Sequence, residues 1–74
     1  MRIEEQLGTR IRYLRKRKRL SIEDLALLCE INKNYLCDLE NGRRNPTIQM
    51  LEKIANGLGI TISELTKGLQ SFNI

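Results

Sequence analysis

Residues 21–45 read SIEDLALLCEINKNYLCDLENGRRN, and this stretch decides the fold. Ser21 with Asp24 three residues on is a capping box, so a helix starts at residue 22. Leu25, Ala26 and Cys29 carry that helix to about Cys29. Glu30-Ile31-Asn32 then breaks it, because Asn32 is a good cap for a new helix. The new helix, about residues 33–41, ends at Asn41-Gly42, where glycine accepts the left-handed conformation without a Cβ penalty.

At 100° per residue, Lys33, Asn34, Cys37, Asp38 and Asn41 fall within an arc of about 140° on this helix. Leu36 and Leu39 lie almost opposite, with Tyr35 and Glu40 on the flanks. One face is therefore apolar and the other is a row of hydrogen-bonding side chains. A solvated surface would explain such a row on most helices. Here the row begins at a helix N-terminus, and the basic loop Asn41-Gly42-Arg43-Arg44-Asn45 follows at once. Two short helices across a three-residue turn have the dimensions of a helix-turn-helix, whose second helix enters the DNA major groove.

Outward from this pair, the remaining chain also reads as helix. Ile3, Leu7, Ile11 and Leu14 make one stripe over about residues 3–18, with Glu4 and Glu5 in its first turn and Arg15 to Arg19 at its end. Both charge groups suit the helix dipole. Pro46-Thr47 opens a fourth helix that Ile48, Leu51, Ile54, Ala55 and Leu58 continue until Gly59 stops it. Ile62, Ser63, Leu65 and Leu69 predict a fifth over 62–69. The expectation is one all-α domain, a compact five-helix bundle over residues 1–74 with the motif at about 21–41.

Composition agrees and excludes much else. Seventy-four residues leave no room for a dinucleotide-binding enzyme, a barrel or a kinase. Twelve Leu and nine Ile against no Val favour helix over strand. Histidine is absent, and two cysteines supply neither a disulfide framework nor a metal set. No glycine-rich phosphate loop, nucleophile elbow or carboxylate cluster occurs, so no enzyme, cofactor or small-molecule ligand is expected. The longest unbroken apolar run is five residues, Leu25 to Cys29, too short to span a membrane. With no secretory pattern at the N-terminus, a reduced cytoplasmic setting is expected. The net charge of +4 hides an asymmetry: residues 1–20 carry eight bases and two acids, and residues 21–74 carry five and seven. Such asymmetry suits a polyanionic partner at one face.

Residues 7–65 resemble the phage repressor and Cro-type (XRE-like) helix-turn-helix family. The resemblance is carried by Leu25-Ala26, Ile31-Asn32, Tyr35-Leu36, Leu39-Glu40-Asn41-Gly42-Arg43-Arg44, Pro46-Thr47, Leu51, Ile54-Ala55, Leu58 and Ile60. Within the family the chain is similar to small stand-alone regulators such as restriction–modification controller proteins. The resemblance implies a lambda-repressor-like fold and a homodimer on a pseudo-palindromic double-stranded DNA operator. By position it implies that Lys33, Asn34 and Asp38 face base edges and that the Asn41 backbone, Arg43 and Arg44 meet phosphates. Tyr35, on a flank of the helix, is a further candidate phosphate contact through its hydroxyl, or else a cover over Leu39. The resemblance also implies an ion pair between Arg15 and Glu40. Two positions depart from the family pattern. Ile22 stands where members often carry a phosphate-touching Gln, and Glu30 where they often carry Gly. A left-handed Glu30 would be strained by roughly 1–2 kcal/mol.

The helix at 33–41 carries one base and two acids, so electrostatic affinity falls to Arg43, Arg44 and long-range steering by Arg15 to Arg19. Leu65, Leu69, Phe72 and Ile74 exceed what a five-helix core needs, and their exposure would favour dimerisation. The rival function is an antitoxin that binds a toxin partner as well as DNA. A membrane-surface role for the first helix competes with the need for its apolar stripe in the core.

Overall fold

The computed structural model describes residues 1–70. They form α1 (Ile3–Arg17), α2 (Ile22–Cys29), α3 (Lys33–Glu40), α4 (Ile48–Leu58) and α5 (Ile62–Leu65), with no strand among the described residues. Phe72 and Ile74, two of the residues expected at a dimer contact, lie outside them.

Local chemistry sets the helix starts. Glu5 accepts from the Arg2 amide at the head of α1. The Ser21 hydroxyl accepts from the Asp24 amide at 3.0 Å while the Asp24 carboxylate accepts from the Ser21 amide at 3.1 Å, closing the capping box of α2. Hydrogen bonding from the Ser21 amide, and then from its side chain, holds the Asp24 carboxyl below its ordinary range. Asn32, Thr47 and Thr61 cap α3, α4 and α5 through their side-chain oxygens.

The first four helices end in one way. A left-handed residue reverses the chain, and the amide after it reaches back to the fifth residue before: Leu20 to Arg15, Ile31 to Ala26, Arg43 to Asp38 and Ile60 to Ala55, at 2.9–3.1 Å. The left-handed positions are Arg19 (φ 56°), Glu30 (φ 58°), Gly42 (φ 74°) and Gly59 (φ 70°). Two are glycine and two carry a strained Cβ. Glu30→Gly should therefore stabilise the domain by about 1 kcal/mol, the relieved strain outweighing the extra freedom of an unfolded glycine. Thermal denaturation should show a midpoint raised by about 4–8 °C; an unchanged midpoint would mean that the strain at Glu30 does not exceed the entropic cost of glycine.

Leu7, Ile11 and Leu14 of α1, Leu25, Ala26 and Cys29 of α2, Leu36 and Leu39 of α3, Ile54, Ala55 and Leu58 of α4, and Leu65 form one core. Each large side chain contributes roughly 1.5–3 kcal/mol by leaving water. Helix α1 packs on α3, α2 on both α3 and α4, and α4 on α5. Gly8 sets the closest approach of α1 and α3: a Cβ there would stand 2.5 Å from the carbonyl oxygens of both Leu39 and Glu40. Gly57 does the same between α4 and α2, where a Cβ would meet Cys29. Burial pushes the Cys29 thiol up from 9.0 to about 11.

Several expectations need correction. Helix α5 closes at Leu65 rather than reaching 69, because Thr66 caps it and Gly68 turns left-handed at φ 78°. Leu65 is not surplus: it is fully buried in the core, and Leu69 is half-buried against it. Ile3, placed in the core stripe, is 45% exposed at the rim. The ends of α1 and α3 fall at Arg17 and Glu40, with Lys18 and Asn41 as their caps.

Candidate nucleic-acid interface

Helix α3 starts where the Asn32 Oδ1 accepts from the amides of Asn34 (2.7 Å) and Tyr35 (3.3 Å). This cap leaves Lys33 and Asn34 at the exposed first turn, while Leu36 and Leu39 are buried beneath. The outer face runs Lys33, Asn34, Cys37, Asp38 and Asn41, with Cys37 and Asp38 half-buried and the others exposed.

The acidic and basic groups on this face are paired. Lys33 Nζ lies 3.0 Å from Glu23 of α2, which raises the lysine and lowers the glutamate from their ordinary values. Both side chains are exposed, so the pair contributes little to stability. Asp38 is met by the loop that follows its own helix. Arg44 brings Nη2 and Nε to 3.3 and 3.4 Å of Asp38 Oδ2, and Arg43 Nη1 stands 3.8 Å from Oδ1. The Arg44 guanidinium lies over the Tyr35 ring, 5.4 Å from its centroid. Tyr35 itself is half-buried against the core. Lys33, bridged to Glu23, and Asn34 thus lie exposed at the start of α3, while Tyr35, Asp38, Arg43 and Arg44 form a cluster at its end.

Behind α3 sits the buried charge of the fold. Glu40 is 6% exposed and takes a two-pronged contact from Arg15, Nε to Oε2 at 2.7 Å and Nη2 to Oε1 at 3.0 Å. This bond pushes the Arg15 guanidinium above its already high ordinary value. Arg15 Nη1 also donates to the Leu20 carbonyl. Arg12, which sequence reasoning missed, adds a bond to Glu40 Oε1 at 3.3 Å and reaches Asn41 Oδ1 at 3.4 Å. Its spacing three residues before Arg15 was the available signal. The Asn41 amide group donates back to the Cys37 carbonyl. The rest of the basic run, Lys16 to Arg19, is exposed, with Arg17 over the Tyr13 ring. Ile22 is half-buried against the core, an apolar brace where the family pattern often has Gln.

The helix endings single out one further residue. After the left-handed turn, α1, α2 and α4 fold Leu20, Ile31 and Ile60 against the core. At the same position α3 puts Arg43, whose side chain is 72% exposed. The backbone is shared and the side chain is not. A packing role is replaced by a cation beside the outer face of α3.

The helix-turn-helix family profile HTH_3 matches residues 11–65. The chain belongs to this family. It is 41% identical over 69 residues to the control protein C.MunI of a Mycoplasma species, which covers 92% of this chain and 93% of that one. It is 37% identical over 67 residues to the transcriptional regulator DdrOP3 of Deinococcus deserti, covering 90% of this chain, and spans only 52% of that regulator's length. Among solved structures, the restriction-modification controller protein C.Esp1396I bound to a 19 base pair DNA duplex superposes with a TM-score of 0.83 at 28% identity. That match covers 93% of this chain and 92% of the other. The all-helical architecture of this helix-turn-helix domain is thus the one its relatives adopt. No helix among the described residues is long and apolar enough to cross a membrane.

Proposed function

We propose that the protein is a sequence-specific transcriptional regulator that places α3 in the major groove of a double-stranded DNA operator. The observation that carries this reading is the exposed Arg43 at a helix ending where three sister helices pack a half-buried Leu or Ile on the core. A cation there serves no packing purpose and borders a polar face that begins at a helix N-terminus. The likeness to a controller bound to duplex DNA supports it.

In this reading base contacts and backbone contacts come from different residues. Lys33 donates to guanine O6 or N7, Asn34 bridges adenine N6 and N7, and Asp38 accepts from cytosine N4. The Asn41 backbone, Arg43 and Arg44 meet phosphates, with Tyr35 beneath Arg44. The unit is a homodimer on a pseudo-palindrome with half-sites one turn, ~34 Å, apart. Its contact surface draws on Leu69 with exposed Ile3, which line an open apolar groove of about 320 Å³ together with Leu7, Pro46 and Leu51. Sedimentation at micromolar concentration should give a dimer; a monomer would overturn that part alone.

Selecting bound duplexes from a random oligonucleotide pool should return a symmetric site. On that site, Asn34→Ala should relax preference at one position, costing roughly 1–3 kcal/mol against the preferred base, with non-specific affinity nearly intact. Arg43→Ala should weaken binding to every sequence and reduce the salt slope by about one unit. If the two variants behave alike, the division of labour is wrong. If no sequence is enriched at any ionic strength, the DNA reading itself fails.

A further inference from the structure

Asp38 sits oddly on a surface meant for a polyanion. Its carboxylate stands at the edge of the outer face of α3, and it holds an arginine that the DNA-binding reading sends to phosphate. We propose that Asp38 is a specificity-determining positioning residue that keeps Arg44 off non-operator DNA and releases it only where a base-edge donor takes the arginine's place on the carboxylate. This inference rests on the DNA-binding reading above.

The grip is specific to Arg44. Two of its nitrogens lie 3.3 and 3.4 Å from one carboxylate oxygen, and its plane is backed by the half-buried Tyr35 ring. Arg43 makes a single approach at 3.8 Å, outside hydrogen-bond range, with its side chain 72% exposed. Arg43 is therefore the more loosely held of the two, while Arg44 must first leave a close partner. The Arg43 amide donates to the Asp38 carbonyl at 2.9 Å, which fixes the start of the loop beside the carboxylate.

Consider Asp38 once Arg44 has gone. The major-groove edge offers acceptors at guanine O6 and N7, adenine N7 and thymine O4, and donors only at cytosine N4 and adenine N6. Against acceptors the carboxylate, left with the 3.8 Å approach of Arg43, is repelled, which discourages Arg44 from leaving. Against an amino group it gains a charge-assisted bond, and Arg44 passes to a phosphate at no loss of partners. Discrimination of this kind penalises the wrong site as well as rewarding the right one. The Arg44–Asp38 pair suits the task because it is partly exposed, with side chains 52% and 32% accessible, and is thus easily exchanged.

The test uses the full chain, a random-sequence duplex and the selected operator, with affinity measured across salt concentrations. Asp38→Asn should bind the random duplex about fivefold more tightly, the upper range for one exposed ion pair. Its salt slope there should steepen by about one unit as Arg44 takes up a phosphate. The operator-to-random ratio should fall accordingly. In an Arg44→Ala background, Asp38→Asn should give no such gain, since the restrained arginine is absent. An undiminished gain in that background would mean that Asp38 acts only through its own field, and would overturn the proposal; so would no gain in the wild-type background. Should Asp38→Asn melt early, the Arg44 side-chain Nε–H resonance of the free wild-type protein decides. A single resonance, shifted from that of solvent-exposed arginines, supports the restraint, and a freely averaging one refutes it. Failure of the wild type to bind any duplex would instead sink the DNA reading on which this inference stands.

Discussion

Gly8→Ala should destabilise the domain by about 2–4 kcal/mol, even though alanine is the better helix former. Two effects oppose each other. The intrinsic helix preference of alanine over glycine favours the variant by about 1 kcal/mol. Against it, the new Cβ would stand 2.5 Å from the carbonyl oxygens of Leu39 and Glu40 and 2.8 Å from the Glu40 carbonyl carbon. All three are backbone atoms at the end of α3, so no side chain can swing away to make room. Helix α1 must lift off α3, and the lift strips contact from Leu7, Ile11, Leu36 and Leu39 together. Packing wins over propensity. Urea denaturation followed by circular dichroism measures the loss, and a variant within 0.5 kcal/mol of wild type, roughly the scale of a neutral surface change, would show that the two helices do not approach so closely.

The second large effect is expected at Arg15→Ala, about 3 kcal/mol, as for other buried ion pairs stripped of one partner. Glu40 is almost wholly buried, and among the described residues removing Arg15 leaves it only the longer bond from Arg12. The Leu20 carbonyl also loses its donor. Most of the cost is an uncompensated carboxylate, which gives the prediction its sharper form. Arg15→Met combined with Glu40→Leu should recover most of the lost stability, since well-packed apolar groups often replace a buried pair without penalty. Chemical denaturation of the single and double variants makes the comparison. If the double variant is no better than Arg15→Ala alone, the pair contributes attraction rather than mutual neutralisation, and the argument fails.

These sites differ in how visible they were in the chain. The starts of α2, α3 and α4 were legible because Ser21, Asn32 and Thr47 act on amides two or three residues away. The glycine stops at Gly42 and Gly59 were legible for the same reason: the demand for a left-handed residue is local. Arg19 met that demand without announcing it, since nothing in its side chain favours the conformation. Leu65 was misjudged because how many leucines a core needs depends on which helices meet, and periodicity does not record that. Leu69 extended the apolar pattern of α5 by four residues, but Gly68 had already turned the chain. Gly8 gave no signal, because the role of a glycine inside a helix lies in what passes beside it. At the candidate interface, the exposed arc of α3 followed from helical spacing alone. The hold of Arg44 on Asp38 did not, because it depends on how the loop folds back over Tyr35.

One small contact bears on how the molecule is handled. Arg2 Nη2 donates to the Gly42 carbonyl at 3.1 Å, and the backbone of Glu5 lies so near Gly42 that a Cβ there would stand 3.0 Å from its Cα. The hinge of the arginine loop therefore leans on residues forty positions earlier in the chain. A purification tag or dye joined ahead of Met1 is attached to the mounting of that loop. It would be felt first in how Arg43 and Arg44 are presented, with the hydrophobic interior untouched.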